Sequence, residues 1–304
     1  MKSTISRLMS LLIFSVILIS CSPDKKSNQE EIGNSKPVVA VVNYPLYSFA
    51  NMIGGDKIEV FFPEIEGDPA YWQPDETGIE KFQNADLILL NGADYAKWTS
   101  MVSLPSSTQV NTSKAFTSRL IEVKGEAHSH GPEGEHSHTG YAFTTWLDMK
   151  NAALHAEAVK EALVNLIPEE KDFLNANYNK VLDDLNKIDS ELNEILDSKE
   201  DLEVFASHPV YQYLEKGYDI TIISYHWEPD QMPFEESWKE FEHELDHHSA
   251  RAMLWEDEPL PEIRQKLEDM GVNVIVFNPG GNQNKLDFTS LMSKNVENLK
   301  QGLN

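Results

Sequence analysis

Short apolar runs rich in β-branched residues alternate with helical segments on both sides of one long helical stretch, and this alternation is what most constrains the fold. Runs of this kind are typical of buried parallel strands. Repeated β-α-β units predict an α/β protein with two lobes, each a mostly parallel sheet flanked by helices. The predicted strands are Val38–Val42, Ile58–Phe62, Leu87–Leu90, Val204–Ala206, Ile220–Ser224, Met253–Trp255 and Val274–Phe277.

The long stretch between the two sets of strands has helical periodicity from about Leu147 to Leu196. Pro168 divides it into two helices, because proline is tolerated in the first turn of a helix and not in its interior. Shorter helices are predicted near Leu46–Ile53, Gly78–Gln83 and Pro261–Met270. We therefore expect an N-terminal lobe over residues 38–148, linking helices over 149–197 that form a long rigid connection, and a C-terminal lobe over 198–304.

Polar side chains follow several predicted strands at their carboxyl ends, where open α/β sheets bind ligands. They are His208 after the Val204 run, His226 and Glu228 after the Ile220 run, and Glu256 after the Met253 run. Strand-end placement predicts that these residues share one pocket. Plainer interpretations stay open: His208 as a helix cap, His226 as a packed ring, and the glutamates as solvated surface acids.

Residues 128–138 read His-Ser-His-Gly-Pro-Glu-Gly-Glu-His-Ser-His, so this short segment holds four of the ten histidines in the chain. Its polarity and its central glycine and proline predict a loop, taken here as residues 126–140. Neutral imidazole is the commonest protein ligand for zinc and its neighbours, so we expect metal contact. It is open whether the loop forms the specific site or only gathers ions. The candidate ligands in it are His128, His130, His136 and His138.

The first residues have the pattern of a bacterial lipoprotein signal. Lys2 and Arg7 precede an apolar run, Leu8–Ile19, that is too short for a bilayer, which needs about 20 residues. We predict a signal peptide over residues 1–20, lipidation at Cys21 and a flexible tether over 21–37. The protein is then extracytoplasmic and lipid-anchored to a bacterial membrane. Cys21 is the only cysteine, which excludes an intrachain disulfide.

The charge balance is strongly acidic, with 25 Lys plus Arg against 50 Asp plus Glu and a net charge of −25. Such a surface repels nucleic acid and mildly concentrates cations, so no nucleic-acid partner is expected. We also expect a monomer. His243, His247 and His248 lie on an acidic, helix-like stretch, for which a solvated face is the expected role. His243 and His247, at i and i+4, can chelate weakly.

From residue 38 to 300 the chain resembles the zinc/manganese solute-binding lipoproteins of bacterial ABC importers. The resemblance implies two α/β lobes joined by a rigid helix, a metal ion in the cleft between them, and a permease with its ATPase as partners. The segments that carry it are Asn43–Tyr47, Ile53–Asp56, Ala85–Ala93, the His-rich loop before Trp146–Asp148, and the stretch Phe205, His208 and Tyr213.

The chain departs from the family's ligand pattern at three of four positions. Ala70, Thr144 and Asn278 stand where the family has metal ligands, and His208 alone is retained. One explanation is a rebuilt metal site that uses His208, His226, Glu228 and Glu256, with loop imidazoles such as His136 or His138. The other is a cleft that binds a small organic ligand. The aromatic residues available for it are Tyr71, Trp72, Trp146, Tyr225 and Trp227.

We expect the rebuilt metal site, and a divalent cation as the transported ligand. An imidazole-rich set favours Zn²⁺, copper or nickel over harder ions, with Mn²⁺ as the family's other cargo. A single long linking helix predicts a modest shift on binding. The alternatives are an enzyme and a surface adhesin. We expect no enzyme, because Gly-x-Ser-x-Gly, P-loop and Gly-x-Gly-x-x-Gly motifs are absent.

Overall fold

A computed structural model describes residues 35–63, 65, 72–123, 127–129, 135–137, 140–197, 199 and 201–303. By its internal contacts the chain divides into Met1–Ser35 and Lys36–Asn304, and everything below concerns the second unit. The expected signal peptide, Cys21 and nearly all of the tether lie outside the described residues. Within the described residues, no helix is both long and apolar enough to cross a bilayer.

The first lobe is built on a four-stranded parallel sheet. Its strands are β1 (Val38–Val41), β2 (Glu59–Phe61), β3 (Leu87–Leu90) and β4 (Gln109–Asn111), in the order β2-β1-β3-β4. Helices α1 (Tyr44–Gly54) and α2 (Glu76–Gln83) connect the first three strands. Asn43 begins α1 because its side-chain oxygen accepts a hydrogen bond from the Leu46 amide, and Pro45 is tolerated in the first turn.

Two small antiparallel pairs follow the first sheet. Strand β5 (Glu122–Val123) pairs with β8 (Gly140–Tyr141), and between them β6 (Ala127–Ser129) pairs with β7 (Glu135–Ser137). The predicted His-rich loop is therefore an excursion that leaves and returns through the β5–β8 pair.

Two long helices lead to the second lobe. Helix α3 (Met149–Leu166) begins where Asp148 accepts from the Lys150 amide, and a 3-10 turn at Pro168–Glu170 leads into α4 (Lys171–Asp197). As predicted, Pro168 separates the two helices. With 27 residues, α4 is about 40 Å long. Its buried side chains recur with helical spacing at Leu174, Val181, Leu185, Ile188, Leu192 and Leu196.

The second lobe repeats the topology of the first. Strands β9 (Glu203–Ala206), β10 (Thr221–Ser224), β11 (Ala252–Trp255) and β12 (Asn273–Val276) form a parallel sheet in the order β10-β9-β11-β12. Its helices are α5 (Gln212–Gly217), α6 (Glu235–His247), α7 (Pro261–Asp269) and α8 (Phe288–Gly302). The predicted fold class, two parallel α/β sheets with a long helical connection, is confirmed.

Several elements were not predicted from sequence, among them the short strands β5 to β8, helix α5, strand β4 and helix α8. Strand β4 has one apolar residue, Val110, and lies at the edge of its sheet, so it lacks the buried run that identifies the other strands. Helix α8 has a clear signal that the prediction left out: Asp287 accepts from the Ser290 amide at its start. Its buried face follows at Phe288, Leu291, Met292, Val296 and Leu299.

Candidate metal centre

Both sheets place a polar pair at the same point of the topology. In each sheet the first strand lies between the second and the third. The strand order therefore reverses beside the first strand, and the crevice at such a reversal is where α/β sheets bind ligands. Val41 pairs with Leu89 in the first sheet, and Ala206 pairs with Leu254 in the second. Two residues further on, the same register brings Asn43 level with Asn91 and His208 level with Glu256.

In the second sheet these positions hold ionisable side chains. His208 Nδ1 lies 2.9 Å from Glu256 Oε1. On the other side of His208, the register of β10 with β9 brings His226 level with it, and the two imidazole rings lie 5.6 Å apart at 80°. We call His226, His208 and Glu256 the second-sheet row. Three of the four predicted strand-end residues therefore come together as expected.

The pairing with Glu256 determines which nitrogen of His208 can bind a metal. A carboxylate accepts a hydrogen bond and cannot donate one, so the neutral ring carries its proton on Nδ1. The electron pair of such a ring is on Nε2, which makes Nε2 the ligating atom. Carboxylate–histidine pairs of this kind orient metal-binding imidazoles and make them more basic. Glu256 is thus placed to support His208 through Oε1, and its role as a direct ligand stays a prediction.

The helix-cap interpretation of His208 is wrong. Helix α5 begins at Gln212, after Pro209, and its preceding residue Tyr211 makes no side-chain capping hydrogen bond. The hydroxyl of Tyr211 instead donates to the carbonyl of Phe277. The strand-end turn therefore leaves the His208 side chain, 15% exposed, directed toward Glu256 and His226.

In the first sheet the equivalent positions hold neutral amides that satisfy one another. Asn43 Nδ2 donates to Asn91 Oδ1 at 3.0 Å, and both residues are buried. The other amide atoms also have partners, because Asn43 accepts from Leu46 and Asn91 donates to the carbonyls of Gly92 and Phe143. We call Asn43, Asn91 and the neighbouring Thr112 the first-sheet row. Its hydrogen bonds hold the lobe together and leave no imidazole or carboxylate for a metal.

A buried imidazole next to the first-sheet row has a structural role. His155 on α3 is 1% exposed, with Nδ1 2.7 Å from Thr112 Oγ1 and Nε2 2.8 Å from Thr145 Oγ1. Thr112 Oγ1 donates its proton to the Leu90 carbonyl, so it accepts from His155 Nδ1–H, and Thr145 donates to Nε2. Burial lowers the pKa of His155 to about 3. His155 is neutral at physiological pH, and both of its nitrogens are used.

The positions that the family resemblance marks as altered are occupied by structural hydrogen bonds. The Thr144 hydroxyl donates to the Val210 carbonyl. The side-chain oxygen of Asn278 accepts from the Gly280 amide at 2.8 Å, as in a tight turn. Ala70 lies outside the described residues. Thr144 and Asn278 therefore make structural hydrogen bonds, and the loss of the family's ligands at these positions stays a prediction.

The His-rich loop is described only in part. His128 in β6 is the register partner of His136 in β7, so the backbone brings two of its histidines opposite each other. His130 and His138 lie outside the described residues. The β5–β8 pair at the base of the loop is held to both lobes, because the Ile121 amide donates to Tyr213 Oη at 3.1 Å and the Tyr141 amide donates to Asp94.

The aromatic residues proposed for an organic ligand are mostly core residues. Trp227 is buried among Trp238, Phe241 and Trp255, and Tyr225 packs on the same cluster. Trp146 is also buried, and its indole N–H donates to the Pro279 carbonyl at 2.7 Å. Tyr71 is outside the described residues, and Trp72 packs edge-on against Trp98. Of the rings that the structure describes, Trp146 and Trp227 are therefore core residues, and the organic-ligand alternative stays untested.

The described residues do not by themselves make a complete metal site. Among them, no group of three or more His, Cys, Asp or Glu side chains is placed to hold one ion. Glu228, two residues beyond His226, is half-buried, and its role as a ligand stays a prediction. A site at the second-sheet row therefore needs further donors from residues such as those of the His-rich loop.

Comparison with known proteins identifies the family. A family model described as the periplasmic component A of the zinc-uptake complex matches residues 39–302. The chain belongs to this family. Its members in the comparisons include the zinc-binding protein AdcA of Streptococcus pyogenes, 22% identical over 95% of this chain and 60% of its own length. The chain thus spans about three fifths of the length of that relative.

A second relative and a solved structure are also similar to the chain. The manganese ABC transporter substrate-binding lipoprotein PsaA of Streptococcus pneumoniae is 25% identical over 72% of this chain and 70% of its own length. The crystal structure of the Zn(II)-bound ZnuA-like domain of Streptococcus pneumoniae AdcA superposes with a TM-score of 0.74 at 18% identity, covering 88% of this chain and 99% of that domain. The fold of the family is therefore the fold described here.

Proposed function

We propose that this protein is the extracytoplasmic solute-binding component of a metal ABC uptake system, that its cargo is Zn²⁺, and that the ion binds at the second-sheet row. The observation that carries the proposal is the His208–Glu256 hydrogen bond with His226 beside it, at the ligand-binding edge of the sheet. Family membership and the zinc-binding and manganese-transporter relatives support the same function.

The donor chemistry favours zinc over manganese as cargo. Zinc binds imidazole nitrogen at about 2.0–2.1 Å and usually takes three or four ligands. Imidazole donors suit zinc, copper and nickel, whereas Mn²⁺ prefers carboxylate, carbonyl and water oxygens. His208 Nε2 is the first ligand in this proposal, and His226 is the second. Glu256 orients His208 from the outer shell.

We place the remaining ligands on the His-rich loop, with Glu228 as a further oxygen donor. The candidates are His128, His130, His136 and His138. One contact supports this choice. The Ile121 amide, at the base of the loop, donates to the hydroxyl of Tyr213 on α5, the helix that follows the His208 turn. We propose that the loop, attached at that point, supplies its imidazoles to the second-sheet row.

Hydrogen bonds between the two lobes favour a small movement on binding. Thr144 on the first lobe donates to the Val210 carbonyl, Trp146 donates to the Pro279 carbonyl, and Tyr44 donates to the Leu286 carbonyl. Helices α3 and α4 pack against each other and against α1, and α4 also packs on α8. Wide opening would break these contacts, so we propose a local shift of the loop and strand ends instead of hinge closure.

The anchor and the partners belong to the same proposal. Lipidation at Cys21 would hold the protein at the membrane, and a permease with its ATPase would receive the ion. The relatives are named as binding and transporter components, which supports a binding protein and not an enzyme.

Isothermal titration of the full chain with ZnSO₄ tests this function. We expect one tight site whose affinity falls when residues 126–140 are replaced by a Gly-Ser linker of equal length. A second variant keeps the native loop and changes only its four histidines to glutamine. It separates the loss of the imidazoles from the loss of the loop, and we expect it to lose as much zinc affinity as the linker variant. No binding tighter than the high-micromolar range would contradict the proposal and favour the organic-ligand or adhesin alternatives.

Unchanged affinity in both loop variants, with a tight site still present, would assign the primary site to the second-sheet row without the loop. The His-rich loop would then be left with the role of gathering ions, the alternative that the sequence leaves open.

A further inference from the structure

The exposed face of α6 holds a second histidine pair. Residues 243–247 read His-Glu-Leu-Asp-His. The sequence interpretation of this stretch, a solvated face on which His243 and His247 chelate weakly, overlooked its spacing His-Glu-x-x-His. In zinc peptidases this spacing puts two imidazoles on one face of a helix. The structure confirms that the stretch is helical up to His247.

The two imidazoles are placed for chelation. The rings of His243 and His247 lie one turn apart with their centroids at 4.3 Å and an angle of 48°. His247 Nδ1 lies 2.8 Å from the backbone carbonyl of His243, and because a carbonyl only accepts, Nδ1 carries the proton. Nε2 of His247 is then the ligating nitrogen, in a tautomer already selected by the helix. Both residues are exposed, so a metal ion can reach them.

The helix that carries the pair is packed on the second-lobe core and is acidic. Trp238 and Phe241 are buried in the second-lobe core, and the Lys266 ammonium lies 4.0 Å from the centre of the Trp238 ring. The helix therefore sets the spacing of His243 and His247 before a metal arrives. Acidic residues of the helix raise the local cation concentration. They are Glu235, Glu236, Glu240, Glu242, Glu244 and Asp246.

The surroundings favour binding over catalysis. In a zinc peptidase the glutamate of the motif is the general base, and a third protein ligand completes the site. Here Glu244 Oε2 lies 3.2 Å from Nε2 of His248, whose other ring nitrogen lies 3.2 Å from Glu203. Within the described range, no third His, Cys, Asp or Glu joins the pair.

We propose that His243 and His247 form a peripheral metal site on α6 that takes one borderline divalent ion, such as Zn²⁺, Cu²⁺ or Ni²⁺, with water in the remaining positions. Two imidazoles select these ions over Mn²⁺, Ca²⁺ and Mg²⁺. The site is separate from the second-sheet row, so it binds whether or not the cleft does. An ion held between i and i+4 also crosslinks one helical turn and slows its opening.

Hydrogen exchange read by mass spectrometry on the full chain tests the site. The peptide covering α6 is followed with and without ZnSO₄. We expect zinc to slow exchange there several-fold in the native chain and equally in His208→Ala, which removes the cleft ligand. The double variant His243→Gln/His247→Gln should lose the protection and bind one zinc equivalent fewer, while His248→Gln, a matched control at the end of the same helix, should keep both.

Protection of α6 that persists in the double variant, or its absence in the native chain, would overturn the peripheral site. Neither result affects the proposal of a zinc site at the second-sheet row, because the effect of His208→Ala on tight zinc binding decides that proposal. If the double variant lacks the native circular dichroism spectrum, the exchange experiment is repeated on His247→Gln alone. Loss of the zinc-dependent protection of α6 supports the peripheral site, and its persistence overturns it.

Discussion

The carboxyl ends of the two sheets share strand order and register, yet they have opposite chemistry. In the first sheet the pair at the crevice is Asn43 and Asn91, buried and joined by amide hydrogen bonds. In the second sheet the equivalent pair is His208 and Glu256, both partly exposed. The topology therefore supplies two equivalent places for a ligand, and only the second has ionisable side chains of the kind that our proposal needs.

Two histidines show the same contrast. His155 is sealed between the hydroxyls of Thr112 and Thr145, with both nitrogens used and its pKa lowered to about 3. His208 has a carboxylate on Nδ1 and another imidazole beside it. An imidazole among neutral hydroxyls stabilises the fold in one protonation state, whereas an imidazole held by a carboxylate is oriented to bind a cation.

Replacement of His208 by alanine should have the largest effect on metal binding. It removes the first ligand, so we expect zinc affinity to fall roughly a hundredfold or more. Mutations of residues that only support a ligand already lower metal affinity by up to about a hundredfold, and loss of the ligand itself should cost at least as much. The free energy of unfolding should change little, because the side chain is not part of a closed core. Titration with zinc and urea unfolding measure the two effects. An unchanged zinc affinity would contradict the proposal that the second sheet, and not the first, binds the metal.

Replacement of His155 by leucine should do the reverse. The two threonine hydroxyls lose their partner inside the first lobe, which costs about 2 kcal/mol of stability. The second-sheet row is untouched, so zinc affinity should stay within experimental error once the chain is folded. Urea unfolding at neutral pH followed by zinc titration makes this variant the matched control for His208→Ala. A large loss of affinity with little loss of stability would mean that His155 is itself part of the site.

The pH dependence of stability sharpens the same contrast. The folded-state pKa of His155, about 3, is below its unfolded value of about 6.5, so the unfolded chain takes up the proton first. Stability from this group is complete above pH 6.5 and is lost as pH falls toward 3. At pH 5 the loss is about 2 kcal/mol. His155→Leu should remove this part of the slope between pH 7 and 5; an identical slope in both proteins would contradict the account.

The smallest effect is expected for Glu256→Gln. The amide still accepts from His208 Nδ1, but it lacks the charge that makes the ring more basic, so we expect a loss of about tenfold in zinc affinity, the lower end for outer-shell residues. Glu258→Gln, on the same loop but paired with Arg264, is the control and should leave affinity unchanged. A loss as large as that of His208→Ala would instead make Glu256 a direct ligand.

Most of the fold was predictable because buried parallel strands leave continuous apolar runs. Leu87–Leu90 was predicted with the bounds that the structure shows, and the other predicted strands are correct to within a residue at each end. Edge strand β4 escaped prediction because its single apolar residue, Val110, makes no run. The repeated strand order of the two sheets does not follow from the runs themselves, because it depends on which strands pair.

The candidate site was predictable as a place and less so as a set of contacts. Strand-end positions predicted that His208, His226 and Glu256 would meet, since parallel strands end at one edge. The hydrogen bond that orients His208 joins residues 48 apart in sequence, and no local pattern indicates it. The same holds for His155, whose partner Thr112 is 43 residues away. The pair on α6 had a local signal, its His-Glu-x-x-His spacing.

Anomalous diffraction at the zinc edge, from crystals of the zinc-loaded chain, tests the central claim most directly. The proposal predicts its strongest anomalous peak roughly 2.0–2.1 Å from Nε2 of His208, with His226 in the same coordination sphere. A zinc-loaded crystal whose strongest peak lies away from the second-sheet row, with His208 Nε2 more than 4 Å from any metal, would contradict it.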